Sequence, residues 1–203
     1  GGGFRPPPAA TLFQASTFLV AGIVAVLGSS AVAAYGAANR LELLQYPITF
    51  AFGSAVITMV ATAAGARDFA RAERAAWAGA AVAAAIGLVF TVVALFGRQW
   101  MGLFTADPAI RDIGTLYLFS QAAVFPLTGA GLACYFACLG IGFVGQPFAL
   151  AGLRLVLIVG GAWLALAFTG SVTLAFAAVA IGIGSFAVGL LAVMRTRFRV
   201  LKG

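Results

Sequence analysis

AAYGAANRLELLQYPITFAFGSAVITMVATAAGARDFARAER, Ala33–Arg74, is the stretch whose reading decides the fold. It is apolar over most of its length, yet it carries Asn39, Arg40, Glu42, Gln45, Tyr46, Pro47 and Thr49. It closes on Gly65-Ala66-Arg67-Asp68 and a basic run. A simple membrane anchor has no use for so many polar groups, which are costly in hydrocarbon unless they face protein or water. At about 100° per residue, Tyr35, Asn39, Glu42, Gln45, Tyr46, Thr49 and Gly53 fall within about a third of a helix circumference. Arg40 lies nearly opposite, with Ser54 and Thr58, so Arg40 and Glu42 are not expected to pair. One polar stripe on a membrane helix predicts a cavity wall.

Working outward, the composition sets the class. Hydrophobic residues make up 63 % of the chain and charged residues 8 %, where a soluble domain is about a quarter charged. The apolar runs are about 20 residues long and lack the alternation of a transmembrane barrel. The expected fold is all-α: a polytopic membrane bundle of six transmembrane helices. The chain opens Gly-Gly-Gly-Phe without Met. No charged segment with a cleavage site precedes the first apolar run, so no signal peptide is expected. Gly1 reads as a point inside a longer reading frame. The net charge of +7 does not point to nucleic acid, because the charges cluster at span ends. With no His and only Cys134 and Cys138 as thiols, metal sites of the usual spacings are unsupported.

In chain order, residues 1–8 are a cytoplasmic lead-in ending in Pro6-Pro7-Pro8. Spans are expected at about 9–27, 30–64, 75–96, 113–140, 147–168 and 172–194, followed by a basic tail at 195–203. The second span would reach about 50 Å against a hydrocarbon core of about 30 Å. It must project, tilt or bend, and Pro47 is its expected hinge. Pro126 is the corresponding hinge candidate in span four. Asp68 reads as the N-cap of the third helix, and Asp107-Pro108 as N-cap and first residue of the fourth. Arg5, Arg67, Arg71, Arg74, Arg195, Arg197, Arg199 and Lys202 fall on one side of this topology. Only Arg98, Arg111 and the nearby Arg40 fall towards the other. That bias places both ends in the cytoplasm of a multi-pass protein of the cell inner (plasma) membrane. Arg154, about two turns inside span five, is placed to snorkel to the cytoplasmic headgroups.

Glu42 is the one carboxylate outside an obvious connection, which makes it the proton- or cation-coupling candidate. It lies about 37 Å along the helix from Arg67, near the outer boundary, in an outward-facing vestibule; the simpler reading is a solvated interface residue. In span four, Tyr117, Ser120, Gln121, Thr128, Gly131, Tyr135 and Cys138 share a side, and in span one Gln14 and Thr17 share a face. For any one residue the simpler reading is a helix–helix hydrogen bond, which stabilises by about 0.6 kcal/mol. Three polar faces on separate helices are better explained by one cavity. Its candidate lining is Gln14, Thr17, Tyr35, Asn39, Gln45, Tyr46, Thr49, Gln121, Thr128 and Tyr135. Tyr35, Tyr46, Phe52 and Tyr135 could meet flat cations by cation–π attraction. No Ser/His/Asp set, Cys/His pair or acid pair supports an enzyme, and no cofactor is expected.

The ordered motifs carry a family resemblance. They are Leu27-Gly28, Ala33-Ala34-Tyr35-Gly36, Arg40-Leu41-Glu42, a Pro-bearing helix, and Gly65-Ala66 with an Arg-rich loop to Arg74. Leu103-Phe104-Thr105-Ala106-Asp107, Tyr117-Leu118, Gly140, Pro147 and Arg154 follow. Over almost its whole length the chain resembles the C-terminal half of the multidrug and toxic compound extrusion (MATE) family. The resemblance implies a polyspecific antiporter that exchanges Na⁺ or H⁺ for small organic cations. It implies twelve spans in two six-span lobes that rock around a central cavity. Residues 9–194 would be spans seven to twelve, with membrane lipid and an N-terminal six-span lobe, from the same chain or a dimer, as partners. Acids that some members carry in spans seven and ten fall here near Gln14 and Thr128, neither acidic. The coupling acid would then lie in the other lobe or be Glu42. Two further readings stand beside this one. The first is a lipid-linked saccharide flippase, which needs several cavity basic residues where only Arg40 and Arg154 are available. The second is a non-transporting six-span scaffold subunit.

Overall fold

The structure, a computed structural model, describes residues 18–26 and 28–202. Among them every regular element is a helix. The described part of α1 is residues 18–25. It is followed by α2 (Ser29–Gly65), α3 (Phe69–Leu95), α4 (Gly97–Gly102), α5 (Pro108–Ala122), α6 (Val124–Gly140), α7 (Gly145–Thr169) and α8 (Val172–Lys202). Four of these, α2, α3, α7 and α8, are each long and apolar enough to cross a membrane, and the bent pair α5 and α6 makes a fifth candidate. Most of the first expected span, with Gln14 and Thr17, lies outside the described residues.

Local sequence explains most helix ends. α2 stops where Arg67 turns left-handed (φ 58°). There the Asp68 N–H reaches back to the Ala63 carbonyl at 2.9 Å, closing the last turn. Asp68 caps α3 by accepting the Arg71 N–H at 2.9 Å, so that helix begins at Phe69, earlier than about residue 75. The connection after α3 holds a short helix, α4. Asp107 caps α5, accepting the Ala109 N–H at 2.9 Å, with Pro108 in the first turn. α8 runs on through the basic residues to Lys202, since nothing after Gly189 breaks a helix. Phe198 and Met194 are fully buried there, and the Arg197 guanidinium lies 3.7 Å from the centre of the Phe143 ring.

The two prolines act differently. α2 passes Pro47 unbroken. The fourth span does break, by 52°, but at Ala123 rather than at Pro126. A proline cannot donate to the carbonyl four residues back and its ring crowds that carbonyl, so the disturbance lies N-terminal to it. The carbonyl concerned is that of Ala122, and it accepts the Thr91 hydroxyl from α3 at 2.6 Å.

α6 is the central helix. Gly129–Cys138 are buried without interruption, which is what an all-round apolar helix requires. It packs on α2, α3 and α8. The approach of α3 is close enough that a Cβ on Gly129 would land on the Ala83 carbonyl, the small-residue contact typical of membrane helices.

Two apolar cores are stacked along the bundle. One joins the C-terminal half of α2, the start of α3, α6 and the end of α8 through Val60, Ala76, Ala133, Leu190 and Phe198. The other joins α1, the N-terminal half of α2, α4, α5, α7 and the start of α8 through Val20, Leu41, Met101, Tyr117, Ile158 and Phe176. The buried polar side chains among the described residues are Asn39, Glu42, Gln45, Thr49, Gln121 and Arg154. Four of the six belong to α2.

Candidate functional site

Helical spacing on α2 turns Tyr35, Asn39, Glu42, Gln45 and Thr49 to one side, and that side is buried in the lobe. Glu42 is the centre of the arrangement. Tyr46, one turn on, donates its hydroxyl to Glu42 Oε1 at 2.8 Å. Tyr117, from α5, donates to Oε2 at 3.0 Å. The Tyr117 ring is gripped edge-on by Tyr35 (centroids 5.2 Å) and Phe176 (5.1 Å). Both carboxylate oxygens thus carry a phenol donor, as a charge-capable group needs once it is taken from water.

Two small cavities flank the carboxylate. The first, about 10 Å³, is lined by Tyr35, Glu42, Tyr117 and Arg154 with Val20, Ile158, Val179 and Ile183. The second, also about 10 Å³, is lined by Glu42, Gln121, Thr128, Val124, Phe125 and Ile183. Each is about the size of one water. Gln121 donates to the Ser120 hydroxyl at 3.2 Å and to the Phe176 carbonyl at 3.4 Å. Beside them, Gln45 donates to the Phe125 carbonyl at 2.8 Å, just past the break in the fourth span.

Glu42 is only 8 % exposed, so it is enclosed among α2, α5, α7 and α8 rather than facing an open vestibule. The structure brings Tyr35, Glu42, Tyr46, Gln121 and Thr128 together. It keeps others apart. Thr49 donates to the Gln45 carbonyl at 3.0 Å within its own helix, and Asn39 is buried on the same side nearer the helix start. Tyr135 is buried in the other core, and Phe52 is exposed. Arg40 is exposed too, with its guanidinium 4.9 Å from the Phe104 ring centre. Gln14 and Thr17 are outside the described residues.

Two residues of the site take roles that the sequence does not single out. Tyr117 was one of seven residues on a polar face, and nothing local marks it as the partner of Glu42. Arg154 does not snorkel: it is 5 % exposed and lines the cavity with Glu42. An arginine among apolar residues in a membrane helix was the available signal, since such a residue ordinarily faces the bundle interior.

The helices, their order and the buried polar layer can be set against known proteins. Residues 9–164 match the family model described as MatE.

The chain belongs to the MatE family.

It is 34 % identical over 122 residues to the protein named Probable multidrug resistance protein NorM from Aromatoleum aromaticum, covering 56 % of this chain and 25 % of that one. Its fold matches a MOP superfamily transporter from Pyrococcus furiosus with a TM-score of 0.85 at 23 % identity, over 96 % of this chain and 45 % of that chain. It also matches a multidrug resistance MATE family transporter in an outward-facing conformation, with a TM-score of 0.87 at 23 % identity over the same shares. The chain thus spans about half the length of these transporter structures. As a MatE chain it is a multi-pass, all-helical membrane protein. In it, Glu42 is a carboxylate held by two phenols and faced by one buried guanidinium group.

Proposed function

We propose that this chain is one lobe of a secondary antiporter of the inner membrane that exports organic cations or other xenobiotics in exchange for H⁺ or Na⁺. Both chain ends lie in the cytoplasm on this reading, and a second six-span lobe completes the cavity. Glu42 is the coupling group. The observation that carries the reading is the buried Glu42 carboxylate, bonded across helices and flanked by two cavities. Membership of the MatE family and the multidrug resistance name of a relative support the transport class. Arg67, Arg71, Arg74, Arg195, Arg197 and Arg199 gather at one end of the bundle, which supports the orientation. Alternating access moves one lobe against the other, which opens the faces between lobes.

The test is export of a fluorescent cationic dye by everted vesicles, together with dissipation of an imposed pH or Na⁺ gradient. Wild-type protein is expected to do both. Glu42→Gln is expected to lower export at least tenfold or abolish its pH dependence at unchanged protein level, because the variant keeps the side chain's size and one acceptor oxygen but neither the charge nor the second acceptor. Neither export nor gradient loss in the wild type removes the antiporter reading. Wild-type export with an unchanged pH profile in the variant removes Glu42 as the coupling group. Arg154, a buried cation in the same cavity, favours an anionic substrate such as a lipid-linked saccharide. That reading predicts flipping of a diphosphate lipid and no dye export.

A further inference from the structure

We infer that Tyr117 is a positioning residue for Glu42, one that ties the carboxylate of α2 to the seating of α5. The inference rests on the reading of Glu42 as the coupling group.

The two phenols on Glu42 are not equivalent. Tyr46 is four residues away on the same helix, so its bond moves with Glu42 whatever the rest of the lobe does. Tyr117 is 75 residues away and arrives from α5. Its hydroxyl is aimed by a ring that has little freedom: the ring is buried, with Tyr35 and Phe176 packed edge-on at 5.2 and 5.1 Å. A buried ring held from two sides fixes its hydroxyl in direction as well as distance. The bond is therefore lost if α5 shifts, and kept if only Glu42 and Tyr46 move together.

α5 is a separate helical segment from the α6 that follows it. It ends at the 52° break, and the carbonyls around that break are held by side chains of other helices. Thr91 of α3 bonds the Ala122 carbonyl and Gln45 of α2 bonds the Phe125 carbonyl. Glu42 and Gln45, neighbours on one face of α2, thus hold the fourth span on either side of its break. Charge on Glu42 strengthens the upper of these two holds, because a hydrogen bond to an ionised acceptor is about twice as strong as a neutral one. Proton binding at Glu42 weakens it and frees α5 to reseat.

Among the described residues the titratable or charged groups facing Glu42 are few. They are Tyr35 and Tyr46 on α2, Tyr117 on α5 and Arg154 on α7. α1, α6 and α8 present Val20, Thr128, Val179 and Ile183, none of which titrates. A shift in the pH profile on changing Tyr117 therefore reports on Glu42 and not on a second acid nearby.

The experiment measures dye export across a pH series in vesicles carrying the wild type, Tyr117→Phe, Glu42→Gln and the double variant, with protein level and thermal midpoint recorded for each. Tyr117→Phe keeps the ring and its packing and removes only the donor. It is expected to change the pH profile of export, since Glu42 loses a donor that reaches it from another helix. The double variant is expected to match Glu42→Gln alone, because the two act through one bond. A pH dependence altered by Glu42→Gln but unmoved by Tyr117→Phe overturns the positioning role and leaves Glu42 as coupling group. A lower thermal midpoint in Tyr117→Phe with the pH midpoint unmoved overturns it equally, as that is the mark of a packing role only. Wild-type behaviour of Glu42→Gln overturns both readings together.

Discussion

The two halves of α2 handle polarity in opposite ways. In the first half, Glu42 and Gln45 point inward and make bonds that leave the helix, to Tyr117 and to the Phe125 carbonyl. From Ser54 onward the polar residues point outward and bond only their own helix. Ser54 donates to the Ala51 carbonyl at 2.8 Å, Thr58 to Ser54 at 3.0 Å and Thr62 to Thr58 at 2.8 Å. The inward face of that second half is Gly53, Val56, Val60 and Ala63, all buried and all small. So one helix is held by hydrogen bonds at one end and by close packing at the other. The lesson is that a polar residue in a membrane helix marks a site when its hydrogen bond goes to another element. A hydroxyl that returns its proton to its own backbone is satisfied locally and can face lipid.

The comparison can be broken at its packed end first, where the largest effect is expected. A Cβ on Gly53 would lie on the Phe136 ring, so Gly53→Leu should overpack the contact of α2 with α6. A loss of about 3 kcal/mol or more is expected, read as loss of folded protein after detergent extraction. Normal thermal stability would mean that the halves do not differ in how they are held. At the hydrogen-bonded end the loss should be smaller. Gln45→Leu removes the bond to Phe125 but also a buried Oε1 that has no partner. The net cost is expected to be about 1 kcal/mol, seen as a modest drop in thermal midpoint. The smallest effect belongs to the outward ladder. Ser54→Ala, Thr58→Val and Thr62→Val together should change stability by less than about 0.5 kcal/mol and leave dye export intact. Unchanged stability with lost export would sharpen the comparison differently, making the outward ladder part of the path between lobes.

The long second span and the stripe on its first half were legible in the sequence because periodicity is local. The same logic put Tyr117, Gln121 and Thr128 on one face of the fourth span, but also Tyr135, which lies in the other core. It mislocated that span's break, because the eye goes to Pro126 while the strain falls on the turn before it. It left Arg154 between snorkelling and a place in the cavity, since the distance from a span end permits snorkelling and only the packing of α7 and α8 decides whether the side chain turns in. Gln121 and Thr128 could be assigned to a face, but not to a cavity shared with Glu42.

By itself the sequence determined the membrane class, the all-helical fold class, the charge bias and the polar stripe. Each follows from composition or from spacing along one helix, where neighbours are fixed by the backbone. Only the tertiary structure decided that Glu42 meets Tyr117 and that Gln45 holds the break in the fourth span. It also decided that Arg154 faces the same small cavity. These partners are 75 and 80 residues apart in the first two cases. Which faces meet depends on how each helix is rotated and tilted against its neighbours, and apolar helices in lipid are placed by fine packing at residues such as Gly129 rather than by pattern.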